Sequence, residues 1–150
     1  MSYDANKVTL EWLAGFFDGE GCVSFNTRKT GATVKVNITQ IDLELLAVIA
    51  VKFDGNGPYL KDHNSRVRRP CYEVNWSGKK AGVFLKKIQP YVLRKAPQVQ
   101  LGIELASTYV GQGNALPLET MEKRIQLCEQ LRELNSGTVR PDAQQEEYTN

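Results

Sequence analysis

Residues 22–29, CVSFNTRK, and 33–40, TVKVNITQ, alternate apolar and polar side chains, with Thr30-Gly31 between them. Val23, Phe25 and Thr27 fall on one face of the first run, opposite Ser24, Asn26 and Arg28. In the second run Val34, Val36 and Ile38 oppose Thr33, Lys35, Asn37 and Thr39. A period of two on both sides of a glycine turn predicts a β-hairpin with one dry face and one wet face.

The flanking segments complete a layout. Thr9 can cap a helix running to about Gly19, with Glu11 in the first turn, where negative charge suits the helix dipole. Asp42 can cap a second helix, LELLAVIAVKF, stopped by Asp54-Gly55. GNGPYLKD reads as a short strand after a turn. RRPCYEVNW reads as another, with Tyr72, Val74 and Trp76 opposite Cys71, Glu73 and Asn75; Pro70 marks an edge or a strand start. Ser77 is expected to cap a third helix through Ile88, ended by Pro90. A fourth helix is expected over residues 97–110. GQGNALP is a loop, and Pro117 opens a fifth helix to about Leu134. Leu118, Met121, Ile125, Cys128 and Leu131 follow helical spacing there. The order is α-β-β-α-β-β-α followed by two helices. This predicts an α+β domain over residues 1–136, with a four-stranded antiparallel sheet, and a polar tail over 137–150.

Helices on one side of such a sheet leave the other side wet. That face would carry Ser24, Asn26, Arg28, Thr33, Lys35, Asn37, Lys61, Glu73 and Asn75. Binding phosphate needs only cations, whereas reading base edges also needs amides, carboxylates and hydroxyls. Charge supports a polyanionic partner. Arg28, Lys29 and Lys35 have no acid among residues 22–40, and Lys61, Arg66, Arg68 and Arg69 stand against Asp62 alone. Lys79, Lys80, Lys86, Lys87, Arg94 and Lys95 follow with no acid between them. Beyond residue 100, eight acids face four bases, so the net charge of +2 hides a basic middle. Cys22, Cys71 and Cys128 form no CxxC pair, which argues against a zinc site or a disulfide framework. A single histidine, His63, argues against a histidine triad or a histidine-rich metal site. The start MSYDANKV lacks the features of a signal or transit peptide, and no apolar run is long enough for a membrane span. An intracellular protein is expected, in a prokaryotic cytoplasm or an organelle.

Residues 12–21, WLAGFFDGEG, put three glycines and two carboxylates at the end of an apolar helix. Leu10, Leu13 and Phe17 share the core side. Ala14, Gly15 and Gly19 form a strip where a second backbone can approach closely, so two such helices can pack with their carboxyl ends together. Glu20 then lies at the negative pole of the helix dipole, which is unfavourable unless a cation sits there. Main-chain oxygens near Gly19 add hard ligands, which suits Mg²⁺. An unrelated enzyme using Asp18 and Glu20 as an acid–base pair fits less well, because the basic middle has no role in it.

LAGFFDGEG, residues 13–21, resembles the signature of the LAGLIDADG homing endonucleases, and the element order extends the resemblance over most of the chain. One copy of the motif resembles the single-motif members, which work as homodimers. The resemblance implies an intron-encoded nuclease that hydrolyses duplex DNA with Mg²⁺; Mn²⁺ or Ca²⁺ can substitute for binding. No membrane or small-molecule substrate is implied. Glu20 matches the metal-binding acid of the motif and Gly19 the residue whose carbonyl assists it. Gln40, ending NITQ, matches a polar residue near the attacking water. Lys95, in QPYVLRKAPQ, matches an active-site lysine. Leu13, Ala14, Gly15, Asp18 and Gly19 fall in the implied dimer interface, with Asp18 expected to cap the partner's helix end or the next turn. One departure stands out: where close relatives carry a basic residue just after the glutamine, this chain has Asp42, Leu43 and Glu44. The missing base is either filled elsewhere, by Arg94, or absent. The same fold also serves non-cleaving DNA-binding proteins and RNA splicing maturases, and that alternative stays open at this point. A strand of about nine residues spans roughly 30 Å. That matches roughly nine base pairs per subunit and a near-palindrome of about eighteen to twenty.

Overall fold

The computed structural model describes residues 2–28, 31–61, 69–109 and 117–137. Arg66 and Arg68, His63, the loop before Pro117 and the tail from residue 138 lie outside the described residues, as does the side chain of Arg28.

Helix α1 (Leu10–Glu20) starts where the Thr9 hydroxyl accepts the Trp12 N–H at 3.1 Å. Strands β1 (Gly21–Arg28) and β2 (Gly31–Gln40) pair antiparallel, from Gly21 opposite Ile38 to Arg28 opposite Gly31. Helix α2 (Leu43–Lys52) is capped by Asp42, whose carboxylate accepts the Leu45 N–H at 3.1 Å. Strands β3 (Asn56–Leu60) and β4 (Tyr72–Ser77) follow, then helices α3 (Gly78–Ile88), α4 (Ala96–Ser107) and α5 (Leu118–Ser136). The sheet is antiparallel throughout, in the order β1-β2-β4-β3. This is the α+β arrangement expected from the hydrophobic pattern.

Alternation builds the core. Val23, Val34, Val36, Ile38, Val74 and Trp76 point to the helix side and are buried. Trp76 stacks on Phe84, with ring centroids 3.8 Å apart, and its indole N–H donates to the Phe53 carbonyl at 2.9 Å. The apolar ring is thus buried while its one polar atom is satisfied. Where β4 ends at Ser77 opposite Lys35, the Tyr109 hydroxyl takes over along β2. It accepts the Val34 N–H at 2.6 Å and donates to the Ala32 carbonyl at 3.3 Å.

One open choice is decided and two local expectations change. Pro70 precedes a central strand and marks its start, since the outer strands are β1 and β3. Ser77 occupies the N-cap of α3, but its side chain makes no capping bond. Helix α5 follows the apolar spacing only in part: Cys128 and Leu131 are buried as expected, but Leu118, Met121 and Ile125 are exposed, and Arg124 and Leu127 are buried in addition. Arg124 is satisfied on the buried face. Its Nε donates to Thr108 Oγ1 at 2.8 Å, its Nη2 donates to the Thr108 carbonyl at 2.9 Å, and its guanidinium lies 5.0 Å from the Tyr109 ring centre. A buried cation with these partners takes a place that an apolar count assigns to Ile125.

Candidate catalytic centre and nucleic-acid interface

Glu20 closes α1 with its side chain exposed. It has no hydrogen bond or ion pair among the described residues. The Gly21 N–H returns to the Phe17 carbonyl, ending the helix and turning the chain into β1. A Cβ on Gly21 would lie 2.2 Å from the Phe17 ring, which is fully buried, so glycine is required here by packing. Gly15 and Gly19 differ: a Cβ on either meets nothing within 4 Å.

Asp18 reaches a distant segment of its own chain. Its Oδ2 accepts the N–H groups of Leu93 at 2.7 Å and Arg94 at 3.2 Å, and its Oδ1 accepts that of Lys95 at 3.0 Å. Lys95 is the N-cap of α4. The grip therefore draws Lys95 to the carboxyl end of α1. Burial raises the Asp18 pKa, but the three N–H donors and the Lys95 charge outweigh it and hold the carboxyl below its ordinary range. Because the folded value is depressed, the grip adds stability above the unfolded value and loses it as pH falls through the folded one. The carboxylate expected to cap a partner's helix or the next turn is engaged inside its own protomer.

Gln40 ends β2. Gly21, the residue after α1, pairs with Ile38, so Gln40 stands two residues along β2 from the strand partner of the helix end. Its Oε1 accepts the Ile41 N–H at 2.8 Å, leaving its amide N–H₂ available. Arg94 is exposed, one residue before Lys95.

Leu13 and Ala14 are both fully buried within the protomer, which corrects their assignment to a dimer interface. They have no surface left to offer. The outward face of α1 runs instead through Trp12, Gly15, Phe16 and Gly19, at helical spacing i, i+3, i+4 and i+7. Trp12 and Phe16 stack with centroids 5.0 Å apart, and Trp12 is exposed.

The wet side of the sheet assembles as alternation requires. Register places Ser24 opposite Lys35, Asn26 opposite Thr33, and Asn37 opposite Asn75 on one face. Glu73, opposite Thr39, and Tyr59, opposite Glu73, share that face. Tyr59 is exposed and joins these residues, as does Asn56 opposite Asn75. Irregular pairing of β3 between Asn56 and Tyr59 hides both from a period-two reading. Lys61 and Arg69 are exposed at the ends of the segment joining β3 to β4. Lys79, Lys80, Lys86 and Lys87 lie on α3, which packs on the opposite side of the sheet. That run of charge is separate from the wet face.

The αββαββα order, with a carboxylate at the end of a glycine-bearing first helix, matches the fold of the LAGLIDADG class. Residues 7–89 match the LAGLIDADG-like domain, more than half of the chain, and the chain belongs to that family. Solved structures carry the same fold. The homing endonuclease I-CvuI, in complex with an I-CreI target and 2 mM Mg, superposes with a TM-score of 0.66 at 18% identity, covering 84% of this chain and 81% of that one. I-CvuI with its own target was also solved in 2 mM Ca. The archaeal intron-encoded I-Vdi141I, complexed with DNA, gives a TM-score of 0.63 at 19% identity over 85% of this chain and 84% of that one. I-TnaI gives 0.61 at 22% identity over 91% and 99%. No curated protein sequence matches the chain. Among the described residues, no helix is long and apolar enough to cross a membrane.

The I-CvuI structures were solved with divalent cations, Mg and Ca. Among the described residues, no three His, Cys, Asp or Glu side chains gather to hold a metal. Glu20 and the main-chain oxygens at the end of α1 are hard ligands of the type Mg²⁺ takes, but fewer than its octahedral set requires.

Proposed function

We propose that the protein is a site-specific DNA endonuclease that cuts both strands of a long, near-palindromic duplex as a homodimer. The observation carrying this reading is the convergence on one helix end. The exposed, unpartnered Glu20 stands next to Gly19, and Asp18 holds the Lys95 segment against the same turn. Glu20 and the Gly19 carbonyl would hold Mg²⁺, which when bound polarises the phosphodiester as a Lewis acid. Lys95 offsets the negative charge that develops on the phosphate, and the amide of Gln40 orients the attacking water. The wet face of the sheet lies in the flanking major grooves. The place of action is the compartment holding the target DNA, a prokaryotic cytoplasm or an organelle.

Two-fold pairing rests on the outward face of α1. A glycine inside a helix costs about 1 kcal/mol relative to alanine. Nothing in the protomer requires that cost at Gly15 or Gly19, since both positions open to empty space. A second copy of α1 approaching at backbone distance, flanked by the Trp12–Phe16 stacks, accounts for it.

Plasmids bearing sites selected from a randomised duplex library test the function. Double-strand cleavage is expected with Mg²⁺ and none with EDTA, over a footprint of about eighteen to twenty base pairs. Tight duplex binding with no cutting in Mg²⁺ or Mn²⁺ would instead assign the chain to a non-cleaving DNA-binding role, and preference for structured RNA to a splicing role. Gly15→Leu tests the assembly. Helix content should hold, as should the melting temperature where both proteins are monomeric, while sedimentation shifts to the monomer and double-strand cutting stops. A Gly15→Leu protein that still sediments and cuts as a dimer would remove α1 from the interface.

A further inference from the structure

One carboxylate on the wet face is not placed to read DNA. Glu73 is 7% exposed, although it belongs to the face turned away from the core. Its Oε1 accepts the Asn37 side-chain N–H at 2.8 Å, and its Oε2 accepts that of Asn75 at 3.1 Å. Lys35 Nζ lies 3.5 Å from Oε2 and Lys61 Nζ lies 3.6 Å from Oε1. Asn75 Oδ1 in turn accepts from Asn56 at 3.4 Å. Four donors from β2, β4 and the segment after β3 thus converge on one acid that is mostly covered by them. Burial raises the Glu73 pKa, but the amides of Asn75 and Asn37 and the charges of Lys35 and Lys61 outweigh it, so the group is ionised at neutral pH.

This chemistry fixes what the cluster shows to solvent. An ionised carboxylate only accepts hydrogen bonds, so both asparagines must turn their N–H₂ groups toward it. Asn37 Oδ1 then faces away. It accepts no bond among the described residues, and the one buried unpaired side-chain polar atom among them is Gln98 Oε1, so Asn37 Oδ1 is open to solvent. The same carboxylate holds two ammonium groups whose side chains are 27% and 45% exposed. The set held on this one carboxylate therefore offers two donors and one acceptor outward. In the major groove, guanine offers two acceptors, O6 and N7, and its paired cytosine offers one donor, N4–H₂.

We infer that Lys35, Lys61 and Asn37 form a subsite selecting a G·C pair, and that Glu73 is its positioning residue, orienting these groups without touching a base. The inference rests on the DNA-binding reading above. It reverses the direct role that a carboxylate on this face suggests, which is acceptance from cytosine. Glu73 also removes one unit of charge from a two-lysine patch, and so limits binding to any phosphate backbone.

The test compares wild type, Glu73→Gln and Lys35→Met by binding selection from a randomised duplex pool in Ca²⁺, with thermal melts as a folding check. Wild type should show one strongly selected G·C position per half-site. In Glu73→Gln that position should relax to little preference, about tenfold or more in selectivity. Affinity for a fixed non-cognate duplex should rise, and its salt dependence should steepen by about one cation. Lys35→Met should lose the same position while weakening non-cognate binding, which keeps the idea testable if Glu73→Gln fails to fold. Two results overturn the inference and leave DNA binding intact: a Glu73→Gln profile identical to wild type, or a clean switch to A·T, which would mean that residue 73 reads the base itself. Wild type that selects no duplex would remove both readings.

Discussion

Glu20→Gln is expected to lower the rate of double-strand cutting by about a thousandfold or more, with binding of duplex DNA retained. Glutamine has the length and shape of glutamate but carries no charge. At the negative end of α1, that charge is what a divalent cation requires. Glu20 is exposed and has no protein partner among the described residues, so its neutralisation disturbs no packing. Removing an anion from a DNA-binding surface also removes repulsion, so affinity should hold or rise. Single-turnover cleavage of supercoiled plasmid, with anisotropy on a labelled duplex in Ca²⁺, separates the two effects. A rate within about tenfold of wild type, worth no more than about 1.4 kcal/mol of barrier, would show that Glu20 does not hold the metal.

The second large effect falls one residue later and concerns stability. Gly21→Ala is expected to destabilise the protomer by about 3 kcal/mol, because the new methyl enters the Phe17 ring at 2.2 Å. Phe17 cannot yield easily: it is fully buried and meets Phe84 edge-on at 6.0 Å. For a chain of this size the melting temperature should fall by roughly 10 °C. Gly19→Ala supplies the contrast. Its methyl meets nothing within 4 Å, so the isolated protomer should keep its stability or gain up to about 1 kcal/mol. Calorimetry on both variants under conditions that keep the chain monomeric decides the matter. Equal losses would mean that the two glycines serve one purpose, and the separation of packing from assembly would fail.

The legible part of the fold was its periodicity. Thr9 and Asp42 cap helices as their side chains predict, and the two alternating runs pair with the valines inward. Local chemistry decided those elements, so local sequence carried them. Long-range satisfaction was not legible. The place of Arg124 on the buried face of α5 depends on Thr108 and Tyr109, which no spacing rule connects to it. Glu73 looked like an open reading residue because its donors arrive from three separate segments. Small size alone groups Ala14 with Gly15, although one step around the helix turns it into the core. Trp12 and Phe16 could have been found from their spacing to the glycines. The contacts of Asp18 could not, since its partners are backbone groups more than seventy residues away.

Those partners have a consequence for how such a chain can vary. A clasp that closes on peptide N–H groups is indifferent to the side chains they carry. Leu93 and Arg94, both exposed, can be exchanged for nearly any residue but proline without displacing the lysine that follows them. The segment beside the carboxyl end of α1 is therefore open to drift and to design in its side chains, so long as Asp18 keeps its hold.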